Sequence, residues 1–471
     1  MMSVVESIHT DLAALVGDAR VVNDPTACAA FTVDRKAPTY VVYPPSGAQV
    51  AAVLKYCADN ALAVIPCRNA TKLGIGNPPS RYDVALSLKD LNQVWYYEPA
   101  DLTVSVEPGM KLADFQRFVG RHKLWLPMDP PGGERASLGG ILAANASGPL
   151  RVCYGGPRDM VIGMKIATTE GKIVKTGGRV VKNVAGYDMA KLLIGSFGTL
   201  GVIVEASFKL YPLPAASATF IFHARTLQHA RELRRRIQRS PLQPTRLLLL
   251  NGEAAVLIRR EQPGLIPFGS SSGNEDSATF FLTWEMWFEA TGSPGMLRRY
   301  ERDLQELARA VEAPIEKVEA SIAESAWRRL AGLHTWVAKE DSDLVLKVTL
   351  PTAALEDFLG RANQELEREL RSLSPDEVLW LPVFAQPGAG IAHLCLFGVY
   401  PFHVTDPLVK SLRKLATETG GALVIERCPT ELKSAIDVWG PVGDDFEMMR
   451  KVKSAWDPKG ILSPGRFVGR L

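Results

Sequence analysis

Along the first two hundred residues the spacing of apolar positions switches repeatedly between helical and strand periods. Val50, Val53, Leu54 and Cys57 recur on one helical face, and Ser46 with Gln49 three residues on reads as a capping box, so a helix is predicted over 46–60. A short buried strand over 62–66 follows, then strands over 84–88 and 102–106, the last alternating Leu102, Val104 and Val106 with polar neighbours. Leu112, Phe115 and Val119 give the next helix its apolar face. Residues 164–174 read as two strands joined at Glu170-Gly171, 188–194 as a helix and 201–210 as another strand. This region is α/β, built on short strands.

The segment Pro212-Leu213-Pro214-Ala215-Ala216-Ser217 breaks the pattern and marks a boundary. Beyond it a helix turns Leu227, Ala230, Leu233 and Ile237 inward, which leaves Arg231, Arg234, Arg235 and Arg239 on a solvated basic face. A polar loop spans 269–277. Helices then alternate with strands over 344–350 and 393–399, as far as about residue 421, which reads as a second, α+β domain.

Composition narrows the class. The 471 residues are enough for about three domains. With 54 basic against 51 acidic residues the net charge is +3, which gives no field suited to nucleic acid or an anionic membrane. Six cysteines without a C-x-x-C spacing exclude a zinc ribbon or an iron–sulfur ligand set and suit reduced thiols in the cytosol. Glu6 and Asp11 stand where a signal peptide would be basic, and no run approaches about 18 apolar residues. The expectation is a cytoplasmic protein with at most a peripheral association with the inner face of the membrane.

Glycines cluster at 131–140, 145–148, 154–155 and 195–201. At such density backbone N–H groups can approach an anion closely, so a pyrophosphate-bearing cofactor is one reading; tight turns and a helix C-cap are the other. Gly139 and Gly140 are read as positions of close approach and positive φ. Gly195-x-x-Gly198-x-x-Gly201 follows a predicted helix and precedes a strand, the reverse of a Rossmann turn. P-loop and H-E-x-x-H motifs are absent from the sequence, and around Ser196 the residue at 194 is Ile where G-x-S-x-G needs Gly.

Several segments together carry a family resemblance: Ile65-Pro66 with the polar loop to Thr71, the run from Pro130 to Asn145-Ala146-Ser147-Gly148, Tyr154-Gly155-x-x-Arg158-Asp159, and Val181-Lys182-Asn183-Val184-Ala185-Gly186-Tyr187-Asp188. Gly195-Ser196-x-Gly198-Thr199-Leu200-Gly201-Val202-Ile203 and Asp457-Pro458-x-Gly460-Ile461-Leu462-x-Pro464-Gly465-Arg466 extend it. The chain resembles the FAD-linked oxidases of the vanillyl-alcohol-oxidase type, and among them the FAD-binding subunits of bacterial glycolate oxidases. The resemblance implies an α+β fold: a two-subdomain FAD-binding domain of the p-cresol-methylhydroxylase type over 1–214, an α+β cap over 215–425, and a C-terminal segment, 426–471, returning to the flavin domain. It implies that Arg68, Asn69, Ala70, Thr71 and Lys72 form the first pyrophosphate loop. Pro130, Ser137, Leu138, Gly139, Gly140, Asn145, Ser147 and Gly148 would face the cofactor from the other side, with Ile203 at the adenine end. With no His or Cys at 68–72, FAD is expected to be noncovalent. Asn69 and Ala70 stand where the family loop is usually glycine, and Ala takes positive φ poorly, which would weaken FAD affinity.

Catalytic 2-hydroxy-acid dehydrogenases of this superfamily carry H-x-G-D-G-N-x-H and a later E-H-G, whose His and Glu residues bind a divalent metal. Here the segments are Gln386-Pro387-Gly388-Ala389-Gly390-Ile391-Ala392-His393 and Glu426-Arg427-Cys428. Two of about four ligands remain, so no metal is expected, and His393 is read as a core or interface histidine. Arg158, Lys182 and Tyr187 are the candidates for stabilising negative charge on reduced flavin. The resemblance thus implies an accessory flavin subunit in a complex that oxidises a small 2-hydroxy acid, with a related catalytic flavin chain and an iron–sulfur subunit as partners. A self-sufficient FAD oxidoreductase and a flavin-free scaffold are the alternatives.

Overall fold

The computed structural model describes residues 4–179, 187–262, 265, 283–337, 343–370, 381–397 and 402–471. The chain divides into two units, one formed by 1–147, 156–213 and 433–471, the other by 148–155 and 214–432.

In the first unit Ser46 Oγ accepts the N–H of Gln49 at 3.3 Å and starts the helix Gly47–Asp59. Its three- and four-residue spacing puts Val50, Val53, Leu54 and Cys57 on one fully buried face. This helix is the crossover between the strands Tyr40–Val42 and Val64–Cys67, each paired parallel with Val84–Ser87. Val21–Val22 completes that sheet. A second, antiparallel sheet orders Val94–Glu98, Thr103–Val106, Val202–Lys209, Val161–Ala167 and Ile173–Gly177. The helix packs between the two, against Val84 and Leu86 of one sheet and Ala167, Val202 and Val204 of the other. Gly47 permits this approach, since a Cβ there would lie 3.1 Å from Val204 Cβ. Two sheets sharing one core are the two subdomains that the resemblance implies.

The C-terminal segment joins the same core. Ile461 and Leu462 are fully buried, Val64 N donates to Ile461 O and Ser463 N returns a bond to Val64 O, each at 2.8 Å. Lys453 Nζ ties the turn together, donating to Asp457 Oδ2 at 2.6 Å, Thr199 O at 2.8 Å and Leu462 O at 2.9 Å. The return begins at Lys433, whose ammonium meets Asp34 Oδ1 at 2.7 Å and Gly74 O at 2.6 Å. The expected boundary at 426 instead falls inside the strand Ala422–Arg427, which is paired into the sheet of the second unit.

Among the described residues, the second unit is built on an antiparallel sheet ordered Ile315–Val318, Ala216–Ala224, Trp284–Gly292, Arg246–Asn251, Val383–Gln386, Ile391–Leu396, Leu344–Thr349 and Ala422–Arg427. Ile221, Leu248, Leu250, Trp287, Val345 and Phe384 form a core with the helices Gly252–Glu261 and Ala320–Leu330. The helix Leu227–Arg239 buries Ala230, Leu233 and Ile237 as its spacing predicts. It also buries Arg234, which the sequence reading placed on the solvated face. The neighbouring helix Leu355–Leu370 covers that flank and supplies Glu356 as a partner. The polar loop at 269–277 lies outside the described residues. No described helix is long and apolar enough to cross a membrane.

Candidate functional site

A cleft in the first unit is lined by the loop 65–73, residues 137–144, residues 196–203 and the turn bearing Ser463 and Arg466, together with Leu88 and Pro108. The loop follows the strand Val64–Cys67 and is fixed by its own side chains. Arg68 Nε donates to Gly109 O at 3.0 Å and Nη1 to Asn69 Oδ1, while Asn69 Nδ2 reaches Arg135 O. Lys72 Nζ donates to Pro131 O at 3.4 Å. Ala70 sits at φ +57, the left-handed conformation that a Cβ disfavours.

Opposite the loop, Ser137 Oγ accepts the N–H of Gly140 at 3.3 Å and caps the short helix Leu138–Ala143. Gly139 and Gly140 therefore have helical backbone, and the positive φ expected there is corrected. Their lack of a side chain serves contact instead. A Cβ on Gly139 would lie 2.6 Å from Pro108 Cβ, whereas one on Gly140 would meet Ser137 Oγ at 3.2 Å beside the cleft. Positive φ is found at Gly198, +70, where a Cβ would lie 3.3 Å from Pro66 Cγ.

Of the residues predicted from sequence, Arg68, Asn69, Ala70, Thr71, Lys72, Ser137, Gly139, Gly140 and Ile203 line this cleft. Leu138 is fully buried in the core beneath its helix, and Pro130 is buried against Gly133. Asn145, at φ +47, packs against Gly195 rather than lining the cleft. Ser147 ends the first segment of this unit and Gly148 belongs to the other unit. Arg158 is exposed and donates to Ile194 O at 3.3 Å, and Tyr187 is 93% exposed. Neither lines the cleft, and Lys182 lies outside the described residues.

Sequence reasoning gave no role to Ser463 and Arg466, although both lie in its closing motif. Ser463 Oγ and Arg466 Nη1 are buried and, among the described residues, have no hydrogen-bond partner. Native interiors seldom leave such groups unused unless a ligand takes them. Cys67 also lines the cleft, and burial pushes its thiol up to about 12.

A second constellation lies in the other unit. His334, on the helix Leu333–Val337, and His393, on the strand Ile391–Leu396, stack with ring centroids 4.5 Å apart. Phe384 stacks on His393 at 4.6 Å. Both Nε2 atoms lie 3.5 Å from Glu426 Oε2, and Lys347 Nζ lies 3.2 Å from Oε1. Burial works to raise the Glu426 pKa, but Lys347, His393 and His334 together hold it well below the usual carboxylate range. One ligand atom from each of His334, His393 and Glu426 can be chosen with all three within 4.8 Å of one another. His334 was not foreseen. Nothing in Leu333-His334-Thr335-Trp336 marks it, and only the packing of helix on sheet brings it beside His393.

Residues 38–177 match the FAD binding domain family, and residues 439–467 match the C-terminal domain of FAD linked oxidases. The chain is 25% identical over 441 residues to glycolate oxidase subunit GlcD of Bacillus subtilis, covering 92% of this chain and 89% of that protein. It is 26% identical over 457 residues to the mitochondrial D-lactate dehydrogenase (cytochrome) of Arabidopsis thaliana, covering 92% of this chain and 73% of that protein. The solved structure of p-cresol methylhydroxylase with substrate bound shares the fold, with a TM-score of 0.73 at 16% identity over 98% of this chain and 96% of that one. The cleft fits FAD on its own chemistry: a polar loop over 68–72 that can turn backbone N–H groups to phosphate oxygens, a facing segment whose glycines leave room for close approach, and a buried guanidinium and hydroxyl for further polar atoms.

Proposed function

We propose that this chain, which belongs to the FAD-linked oxidoreductases, is the FAD-binding subunit of a glycolate-oxidase-type complex that converts a small 2-hydroxy acid, glycolate, to its 2-oxo acid, glyoxylate. FAD, when bound, supplies the two-electron acceptor. The loop at 68–72 and the segment at 137–140 hold the cofactor's phosphates, and Ile203 borders its adenine end. Attachment is noncovalent: the buried Cys67 thiol stays protonated and is a poor nucleophile. A related flavin chain with an intact metal motif holds the hydroxy acid, and an iron–sulfur subunit takes the electrons onward. The complex works on the cytoplasmic side, with at most peripheral contact with the inner membrane face.

The observation that carries this reading is the ammonium of Lys347 at 3.2 Å from Glu426. The one carboxylate retained from the metal motif already holds a cation, and Gln386 stands where the first imidazole of that motif would be. The convergence of His334 with His393 and Glu426 favours a second reading, in which this chain alone handles the hydroxy acid, an imidazole oriented by Glu426 accepting the hydroxyl proton. Dye reduction with glycolate separates the two. FAD-loaded chain alone should be inactive and should gain activity when the catalytic and iron–sulfur subunits are added; turnover by the chain alone would establish the second reading instead.

A further inference from the structure

The inner end of the flavin cleft holds a charge that its protein surroundings leave partly unanswered. Arg466 is 5% exposed, and Nη2 donates to the carbonyls of Leu73 and Ile75, both at 2.5 Å. Nη1 is buried and, among the described residues, without a hydrogen-bond partner. Asp34 lends the guanidinium electrostatic support but is itself bonded to Lys433 Nζ at 2.7 Å. Three residues earlier Ser463, 1% exposed and at φ +46, also buries its Oγ with no partner among the described residues.

A buried guanidinium with an unused N–H, and a buried hydroxyl with none of its bonds made, each cost free energy that a native fold compensates somewhere. Both groups lie on one turn, closed by the bond from Arg466 N to Ser463 O at 3.2 Å, and both line the same cleft. Trp439 Nε1 and Asn77 N donate to Arg466 O at 2.9 and 3.1 Å, so the turn is held in place by the protein alone. Arg68, the other guanidinium of the cleft, directs its Nε to Gly109 O and its Nη1 to Asn69.

We infer that Ser463 and Arg466 contact the cofactor directly, Arg466 supplying a buried, permanently charged cation to an anionic group of FAD and Ser463 a hydroxyl beside it. The inference rests on the assignment of this cleft to FAD. Two parts of FAD have the required chemistry: the pyrophosphate, charged in every redox state, and the isoalloxazine, which gains charge on reduction.

Titration of apoprotein with FAD and with ADP, together with the midpoint potential of bound FAD, distinguishes them in Arg466→Met. A charge-assisted contact to the pyrophosphate predicts that FAD and ADP weaken together by roughly 10- to 100-fold at unchanged potential. A contact to the isoalloxazine predicts little change for ADP and a potential lowered by about 30 mV for each tenfold loss in binding of the reduced form. Ser463→Ala should weaken FAD by several-fold in either case. Folded Arg466→Met with wild-type affinity and potential would overturn the inference. Should that variant fail to fold, wild-type affinity and potential in both Arg466→Lys and Ser463→Ala would overturn it equally. Wild-type protein that cannot bind FAD would instead remove the cleft assignment, and this inference with it.

Discussion

Arg234 and Glu356 form a two-pronged ion pair inside the second unit, Nε to Oε1 at 2.5 Å and Nη2 to Oε2 at 2.8 Å, with side chains 4% and 2% exposed. Removing one partner strands a buried charge, and that costs more than the pair itself contributes. Arg234→Ala should therefore destabilise the protein by about 3–5 kcal/mol, read as a lowered denaturation midpoint. FAD content per folded chain should stay at the wild-type level, because neither residue lines the flavin cleft.

Gly140→Val should abolish FAD binding while the protein stays folded. Gly140 lines the cleft, and outside its own helix backbone a Cβ there meets Ser137 Oγ alone within 4 Å, so the added branches are expected to take up cleft space. Gly139→Val should act differently and lower stability as well, since its Cβ would meet Pro108 at 2.6 Å. Flavin titration and thermal unfolding of the two variants check this contrast.

Ala70→Gly should stabilise the loop. A left-handed Ala costs about 1 kcal/mol that Gly does not, although the greater freedom of Gly in the unfolded chain offsets part of the gain. The expected outcome is FAD binding tighter by a few-fold; weaker binding would show that Asn69 and Ala70 suit the cofactor better than the glycines usual in the family.

Lys347→Met should open the imidazole and carboxylate set to a divalent cation. In the wild type the Lys347 ammonium on Glu426 Oε1 offsets the carboxylate charge, which weakens the hold of Oε2 and the two imidazoles on a metal ion. Wild-type protein is expected to retain no stoichiometric Zn, Mn or Fe after dialysis, and the variant to bind Zn²⁺ at least about tenfold more tightly. Elemental analysis and calorimetric titration read the difference.

How much of this was legible in the sequence depended on how local the cause was. The helix Gly47–Asp59 follows from its own capping box and apolar spacing, and the strand Val202–Lys209 from the glycine-bounded run that precedes it. Residues 68–72 and 137–140 were placed by motif and do meet across one cleft. Arg234 was misread because helical spacing marks a flank without saying which helix will cover it. His334 and the unused groups of Ser463 and Arg466 were invisible for the same reason: contacts between residues tens to hundreds of positions apart leave no periodicity behind. Gly139 and Gly140 were read as positions of close approach and positive φ, and only the positive φ fails, since density of glycine does not separate positive φ from close packing.

Noncovalent FAD in the cleft formed by residues 68–72, 137–140 and 463–466 is the central claim, and acid precipitation tests it most directly. Protein purified with added FAD and washed free of excess should release stoichiometric FAD into the supernatant and leave a colourless pellet. Flavin that stays with the pellet, or protein that takes up no flavin at saturating FAD, would contradict the account.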